Sequence, residues 1–163
     1  MTRSIITSVN AGVATLTLSQ PEIRNAFSDV VIAEITAAFA EVGQRDDVRA
    51  VVLAAEGPAF CAGANLNWMR AMADYTREEN LADAGKLAAM LHTIATCPHP
   101  TIARVQGDVY AGGMGLVAAC DMAVAVQEAH FCLSEVKIGL IPATIAPYVL
   151  RAMGTRAGQR YFL

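Results

Sequence analysis

The chain has 163 residues, 55% hydrophobic and 17% charged, with a formal net charge of -3. That size and apolar content suit one domain with a sizeable core and exclude a disordered polymer. The slight acidity, without a Lys/Arg run, argues against a nucleic-acid groove or a basic membrane-binding face, and leaves a small molecule or another protein as partner.

Ser4 to Val9 and Val13 to Leu18 alternate apolar and polar residues around Asn10-Ala11-Gly12, which predicts a hairpin. Ser28 to Gly43 carries Val31, Ile32, Ile35, Ala38 and Phe39 at helical spacing, with Ser28-Asp29 as its N-cap. Val48 to Ala54 is a short apolar run of the kind found in strands covered on both faces. Thr76-Arg77-Glu78-Glu79 has the capping-box pattern and opens a long amphipathic helix to about Thr96. Pro98 and Pro100 stop it, and Thr101 to Val105 reads as a second buried strand. Met122 to Val126 and His130 to Leu133 follow as further strands. The β-α-β order predicts an α/β fold with a largely parallel core.

Cys61, Cys97, Cys120 and Cys132 are widely separated, with no C-x-x-C pair and no histidine at zinc-finger spacing, so no metal site or redox motif is signalled. Buried free thiols in a reducing cytoplasm are the simpler reading. MTRSIITSVNAG lacks the apolar core of a secretory leader, and no apolar run approaches the ~18 residues of a membrane span. A cytoplasmic chain is expected.

Two loops stand in equivalent places. Gly57 to Asn65 follows the strand Val48 to Ala54, and Gly107 to Gly115 follows the strand Thr101 to Val105. Strand ends in α/β sheets bind ligands, and helix N-termini offer unpaired N–H donors. Small residues there let a ligand approach the backbone, or let elements pack tightly, and pattern alone leaves both readings open. Three glycines within YAGGMGL, each costing about 1 kcal/mol against alanine inside a helix, demand a reason.

FCAGANL at Phe60 to Leu66, GDVYAGGMGL at Gly107 to Leu116 and FCLSEVKIGLIPATIAPYV at Phe131 to Val149 resemble the crotonase, or enoyl-CoA hydratase/isomerase, superfamily. IRNAFS at Ile23 to Ser28 resembles its CoA-contacting N-terminal segment. Within it, NWMRAM, LVAACD and LSEVKIGLIPATIAPYV are similar to methylglutaconyl-CoA hydratases of branched-chain (leucine) catabolism. The resemblance implies a crotonase-like spiral of β-β-α units over residues 1–163, without the usual C-terminal helical segment. It implies an oxyanion hole from the backbone N–H groups of Ala64 and Gly112, with Glu135 as the catalytic carboxyl. Arg24, Ala26, Ala62, Gly63, Asn65, Leu66 and Trp68 are then expected to contact CoA or substrate. CoA enters as part of the substrate, and no separate cofactor or metal is expected.

Gly115 departs from the family, whose two-carboxylate hydratases hold a glutamate there. Both the hydratase and the Δ3,Δ2-enoyl-CoA isomerase activities exist in the family with one glutamate at the position of Glu135, so both stay open. Among Leu133, Ile138 and Leu140, Glu135 is expected to have a raised pKa suited to taking and giving a proton. Gly112 is expected to stay bare for the thioester and Gly113 for the turn into a helix. The family implies a trimer or hexamer, and relatives usually continue past Arg160-Tyr161-Phe162-Leu163. That apolar ending predicts association, and the short chain keeps an inactive acyl-CoA-binding fragment as an alternative. Met69 and Met72 could line the acyl pocket, and Arg70 could meet a substrate carboxylate. His92, His99 and His130 have no nucleophile at useful spacing and read as structural. Asp108 is expected to shape its turn and Asp121 to cap the helix-to-strand turn, with hydrogen-bonding partners if buried.

Overall fold

A computed structural model describes residues 4–162; residues 1–3 and Leu163, the ends of the expected 1–163 domain, lie outside the described residues. Strands β1 (Ile5–Asn10) and β2 (Val13–Leu18) form the expected hairpin, paired antiparallel from Ile5 opposite Leu18 to Asn10 opposite Val13. In β2 the alternation places Ala14, Leu16 and Leu18 in the core. Next come α1 (Asp29–Gly43), β3 (Ala50–Ala55), β4 (Ala59–Cys61), α2 (Leu66–Met72) and α3 (Arg77–Ala95). They are followed by β5 (Thr101–Val105), β6 (Asp108–Tyr110), α4 (Gly112–Ala119), β7 (Met122–Ala125) and β8 (Phe131–Cys132), then α5 (Ala146–Met153) and α6 (Thr155–Tyr161).

The larger sheet has the order β1-β2-β3-β5-β7, parallel except for the hairpin. Helix α1 turns Val31, Ile32, Ile35, Phe39 and Val42 into the core, as their spacing predicts. Ser28 occupies its N-cap position, but its hydroxyl makes no capping bond. The capping box of α3 forms in full: the Glu79 N–H donates to Thr76 Oγ1 at 3.2 Å, and the Thr76 N–H donates to Glu79 Oε2 at 2.8 Å. Asp121 Oδ2 accepts from the Thr101 N–H and hydroxyl, both at 2.8 Å, which ties the start of β7 to the start of β5. Among the described residues no helix is long and apolar enough to cross a membrane.

The expectation that the two small-residue loops leave β3 and β5 directly needs correction. Each of those strands is followed by a tight connection and a three-residue strand, β4 or β6, and these join β8 in a second, wholly parallel sheet of order β4-β6-β8. Three residues are too short for a hydrophobic period to show.

The segment before α1 is fixed onto this second sheet by Asn25, which is 3% exposed and has a φ of +54°. Its side-chain nitrogen donates to the Glu56 carbonyl at 2.8 Å and the Ala59 carbonyl at 3.0 Å, and its Oδ1 accepts from the Gln20 N–H at 2.9 Å. Asparagine tolerates the left-handed region better than most residues, so conformation and bonding agree here. Asn25→Ala leaves the Gln20 N–H and the Glu56 carbonyl without their partner, while the Ala59 carbonyl keeps its bond from Gln106 Nε2 at 3.1 Å. At about 1–3 kcal/mol for an unsatisfied buried group, the variant is expected to show a clearly reduced denaturation midpoint in urea.

Candidate active site

Strands β4, β6 and β8 run parallel, so their carboxyl ends lie together. Ala64 stands three residues beyond Cys61, Gly112 two beyond Tyr110, and Glu135 three beyond Cys132. The three residues expected to do chemistry are therefore delivered to one end of one sheet.

Ala64 is aimed by a parallel bridge to Phe27. The Phe27 N–H donates to the Gly63 carbonyl and the Asn65 N–H donates to the Phe27 carbonyl, both at 2.9 Å. In that pattern the bonds use the residues on either side of Ala64, so its own N–H faces away from Phe27. No described residue accepts from the Ala64 N–H. The Gly112 N–H opens α4 and likewise meets no acceptor among the described residues. Gly63, with a φ of +88°, brings the two loops together: a Cβ there would sit 2.9 Å from the Ala111 Cβ and 3.5 Å from the Gly112 nitrogen. Two unpaired N–H donors on adjacent loops can hold an oxygen that gains negative charge.

Glu135 opens a single 3₁₀ turn, Glu135–Ile138, half-buried after β8. Burial pushes its carboxyl pKa above the usual carboxylate range, as the apolar neighbourhood predicts. Its Oε2 is buried without a hydrogen-bond partner among the described residues. A carboxyl with a raised pKa and a partnerless oxygen at the converged strand ends is suited to exchanging a proton with a ligand.

Arg24 is exposed and Ala26 half-buried. The Arg24 carbonyl accepts from the Ala62 N–H at 3.0 Å, so Arg24, Ala26 and the Ala62–Asn65 loop form one continuous wall. Asn65 spends its side chain on α2, with Oδ1 accepting from the Asn67 N–H at 2.9 Å and the Trp68 N–H at 3.3 Å. Leu66 is 65% exposed, and Trp68 packs on the core with Nε1 buried and unpartnered among the described residues. Arg70 bonds Asn67 Oδ1 at 3.2 Å.

The glycines of α4 answer to packing. A Cβ on Gly112 would overlap the Phe27 ring, and one on Gly113 would lie 2.9 Å from the Cys61 carbonyl oxygen. Packing is thus a reason for both glycines beside the expected ones, since a side chain at Gly112 would displace a core ring as well as crowd the site. At Gly115 a Cβ would collide with Ile145 and come within 3.3 Å of Leu91 Cδ2. Ile145 is 2% exposed and Leu91 fully buried. The room a second carboxylate would need is therefore filled with hydrocarbon.

Asp108 also departs from expectation. Rather than shaping its own turn, its Oδ1 accepts from the His130 N–H at 3.0 Å and lies 3.1 Å from His130 Nδ1, while the Tyr110 hydroxyl donates to Oδ2 at 3.1 Å. The carboxylate braces β6 against β8. Cys61 is inert: burial pushes its thiol up to about 12, and Sγ donates to the Asn25 carbonyl at 3.2 Å. A cavity of about 580 Å³ opens on another side of α4, lined among others by Met114, Val117, Met122, Phe131 and Met153. Since Ala64, Gly112 and Glu135 do not line it, the converged strand ends take precedence as the site.

The profile of the enoyl-CoA hydratase/isomerase family matches residues 8–163. The chain belongs to this family. The crystal structure of an enoyl-CoA hydratase from Shewanella pealeana superposes with a TM-score of 0.95 at 44% identity, covering 98% of this chain and 60% of that one. An enoyl-CoA hydratase structure from Mycobacterium smegmatis gives 0.92 at 37% identity, covering 99% and 62%. An enoyl-CoA hydratase of Alternaria alternata is 36% identical over 157 residues, 94% of this chain and 49% of that protein. The chain thus spans about half to three fifths of the length of these family members. The repeated β-β-α order of β3 to α2, β5 to α4 and β7 onward is the crotonase-like spiral that the motifs implied.

Two outcomes test this geometry. Gly115→Glu, which would restore a second carboxylate, is expected to lower the melting temperature, since overpacking a filled site costs about 1–3 kcal/mol. Glu135→Gln is expected to be pH-dependent in its effect on stability. A raised folded-state pKa gives stability that is present below the ordinary carboxylate pKa and lost as pH rises through the raised value. The Gln variant, which cannot ionise, should therefore match the parent at low pH and melt higher at neutral pH.

Proposed function

We propose that the chain hydrates a 2-enoyl-CoA thioester. The observation that carries this reading is the delivery of two acceptorless N–H groups and a half-buried carboxyl with one partnerless oxygen to the same end of the β4-β6-β8 sheet. In the proposed reaction, the thioester oxygen lies between the Ala64 and Gly112 N–H groups. Water bonds through oxygen to the β-carbon and gives a proton to the Glu135 carboxylate, while the double-bond electrons move onto the thioester oxygen as an enolate. Glu135 then returns that proton to the α-carbon, and the carbonyl re-forms. The N–H groups are fixed before charge develops; removing a comparable donor costs about 10²–10³ in rate. Arg24 and Ala26 flank the loop Ala62–Asn65 along which CoA would lie, and CoA is a part of the substrate rather than a resident cofactor.

For the acyl group we propose 3-methylglutaconyl, on the similarity of the NWMRAM and LSEVKIGLIPATIAPYV segments to hydratases of leucine breakdown. Arg70, exposed on α2, is available to a second carboxylate. A second reading is favoured by Gly115: with hydrocarbon in place of another carboxyl, one proton shuttled by Glu135 between the α- and γ-carbons would give Δ3,Δ2-isomerisation. Val136 and Ile141, 76% and 79% exposed on the segment that follows Glu135, would be covered if copies of the chain associate.

Incubation with 3-methylglutaconyl-CoA, crotonyl-CoA and a 3-enoyl-CoA, followed by mass spectrometry, separates these readings. Hydration adds the mass of water; a shifted double bond at unchanged mass makes the chain an isomerase; no product from any thioester leaves a binding fragment. Glu135→Gln is expected to cut turnover by about 10²–10⁴ with acyl-CoA affinity by titration calorimetry nearly unchanged, and unchanged turnover would remove Glu135 from the mechanism.

A further inference from the structure

Ala111 is the one described residue other than glycine whose positive φ occurs at the start of a helix of the candidate site, with φ +47° and ψ -124°. Arg24, by comparison, has φ +53° and ψ +37°, an ordinary left-handed conformation. A ψ of -124° lies outside that basin, in a region that residues with a Cβ rarely enter.

The surroundings hold Ala111 there from three sides. Its N–H donates to the Cys132 carbonyl at 2.9 Å, as the Val109 N–H donates to the His130 carbonyl at 2.8 Å, so β6 stays locked to β8 up to this residue. Its carbonyl already belongs to α4, accepting from the Met114 N–H at 2.9 Å. Its Cβ faces Gly63, where an added Cβ would lie only 2.9 Å away. The change of direction from strand to helix therefore takes place at a single residue. In a planar trans peptide the N–H and C=O point in opposite directions. With the Ala111 carbonyl turned into the first turn of α4, the Gly112 N–H on the same peptide must point back out of the helix.

We propose that Ala111 is a positioning residue whose strained backbone aims the Gly112 N–H and whose methyl, seated on Gly63, fixes the spacing between the loops carrying the Gly112 and Ala64 donors. This rests on the oxyanion reading above. Glycine would hold the same φ and ψ without strain but would also visit others, and it would remove the spacer. The methyl group thus trades backbone comfort for a fixed donor pair.

The test is Ala111→Gly, read by isotope-edited infrared spectroscopy of bound butyryl-CoA labelled with carbon-13 at the thioester carbonyl. This saturated thioester cannot be hydrated, so the readout is independent of turnover. The parent chain is expected to shift the carbonyl band to lower frequency, and the variant to give a smaller, broader shift while melting no lower than the parent. With an enoyl-CoA substrate, kcat should fall by about 10- to 100-fold with KM changed less than about twofold, a split that a packing defect alone would not produce. A full carbonyl shift retained in Ala111→Gly overturns the positioning role and leaves the oxyanion hole standing. Absence of any shift in the parent chain overturns both.

Discussion

The backbone ladder of β4, β6 and β8 is the constraint on which the site depends. The ladder is short, with three, three and two residues in its strands, and side-chain and loop contacts reinforce it. Asn25 bonds the entry segment to the β3–β4 connection, Asp108 braces β6 against His130, and the bridge between Phe27 and Ala64 adds a further line of pairing. Backbone groups suit this task because they cannot rotate out of place once their neighbours are bonded. An N–H held by a sheet and a helix start keeps its direction through a reaction, whereas a flexible side chain would have to be reoriented.

Close packing gives the glycines of α4 a reason that holds without a ligand. Phe27, Cys61 and Ile145 occupy the places that side chains at Gly112, Gly113 and Gly115 would take. Phe27 thereby has two roles: its backbone orients Ala64 and its ring seats the start of α4. The hydrocarbon of Ile145 and Leu91 against Gly115 leaves Glu135 as the carboxyl that the described residues bring to the converged strand ends. In the proposed reaction a single carboxyl both accepts and returns the proton. Its partial burial, which raises its pKa, suits that cycle.

Much of this could be read from the residues alone. The hairpin, the capping box at Thr76 and the strand Thr101–Val105 are local patterns, and each is found with bounds that agree to within a residue at nearly every end. Ala64, Gly112 and Glu135 could be picked out because their motifs resemble a family. What stayed hidden is non-local. Asn25 reaches across 31 and 34 residues to its acceptors, and nothing near it in the chain announces them. Strands β4 and β6 are too short to show a period. The conformation of Ala111 is imposed by Cys132, Met114 and Gly63 together, so an alanine there looks ordinary until the three are assembled.

The central claim is that these strand ends form one site for a thioester. A crystal structure of the chain with bound butyryl-CoA tests it directly. The account predicts the thioester oxygen within about 2.7–3.1 Å of both the Ala64 and the Gly112 nitrogens, with the α-carbon facing the Glu135 carboxyl. A thioester bound elsewhere, or an oxygen that meets neither nitrogen while the chain keeps its fold, would contradict it.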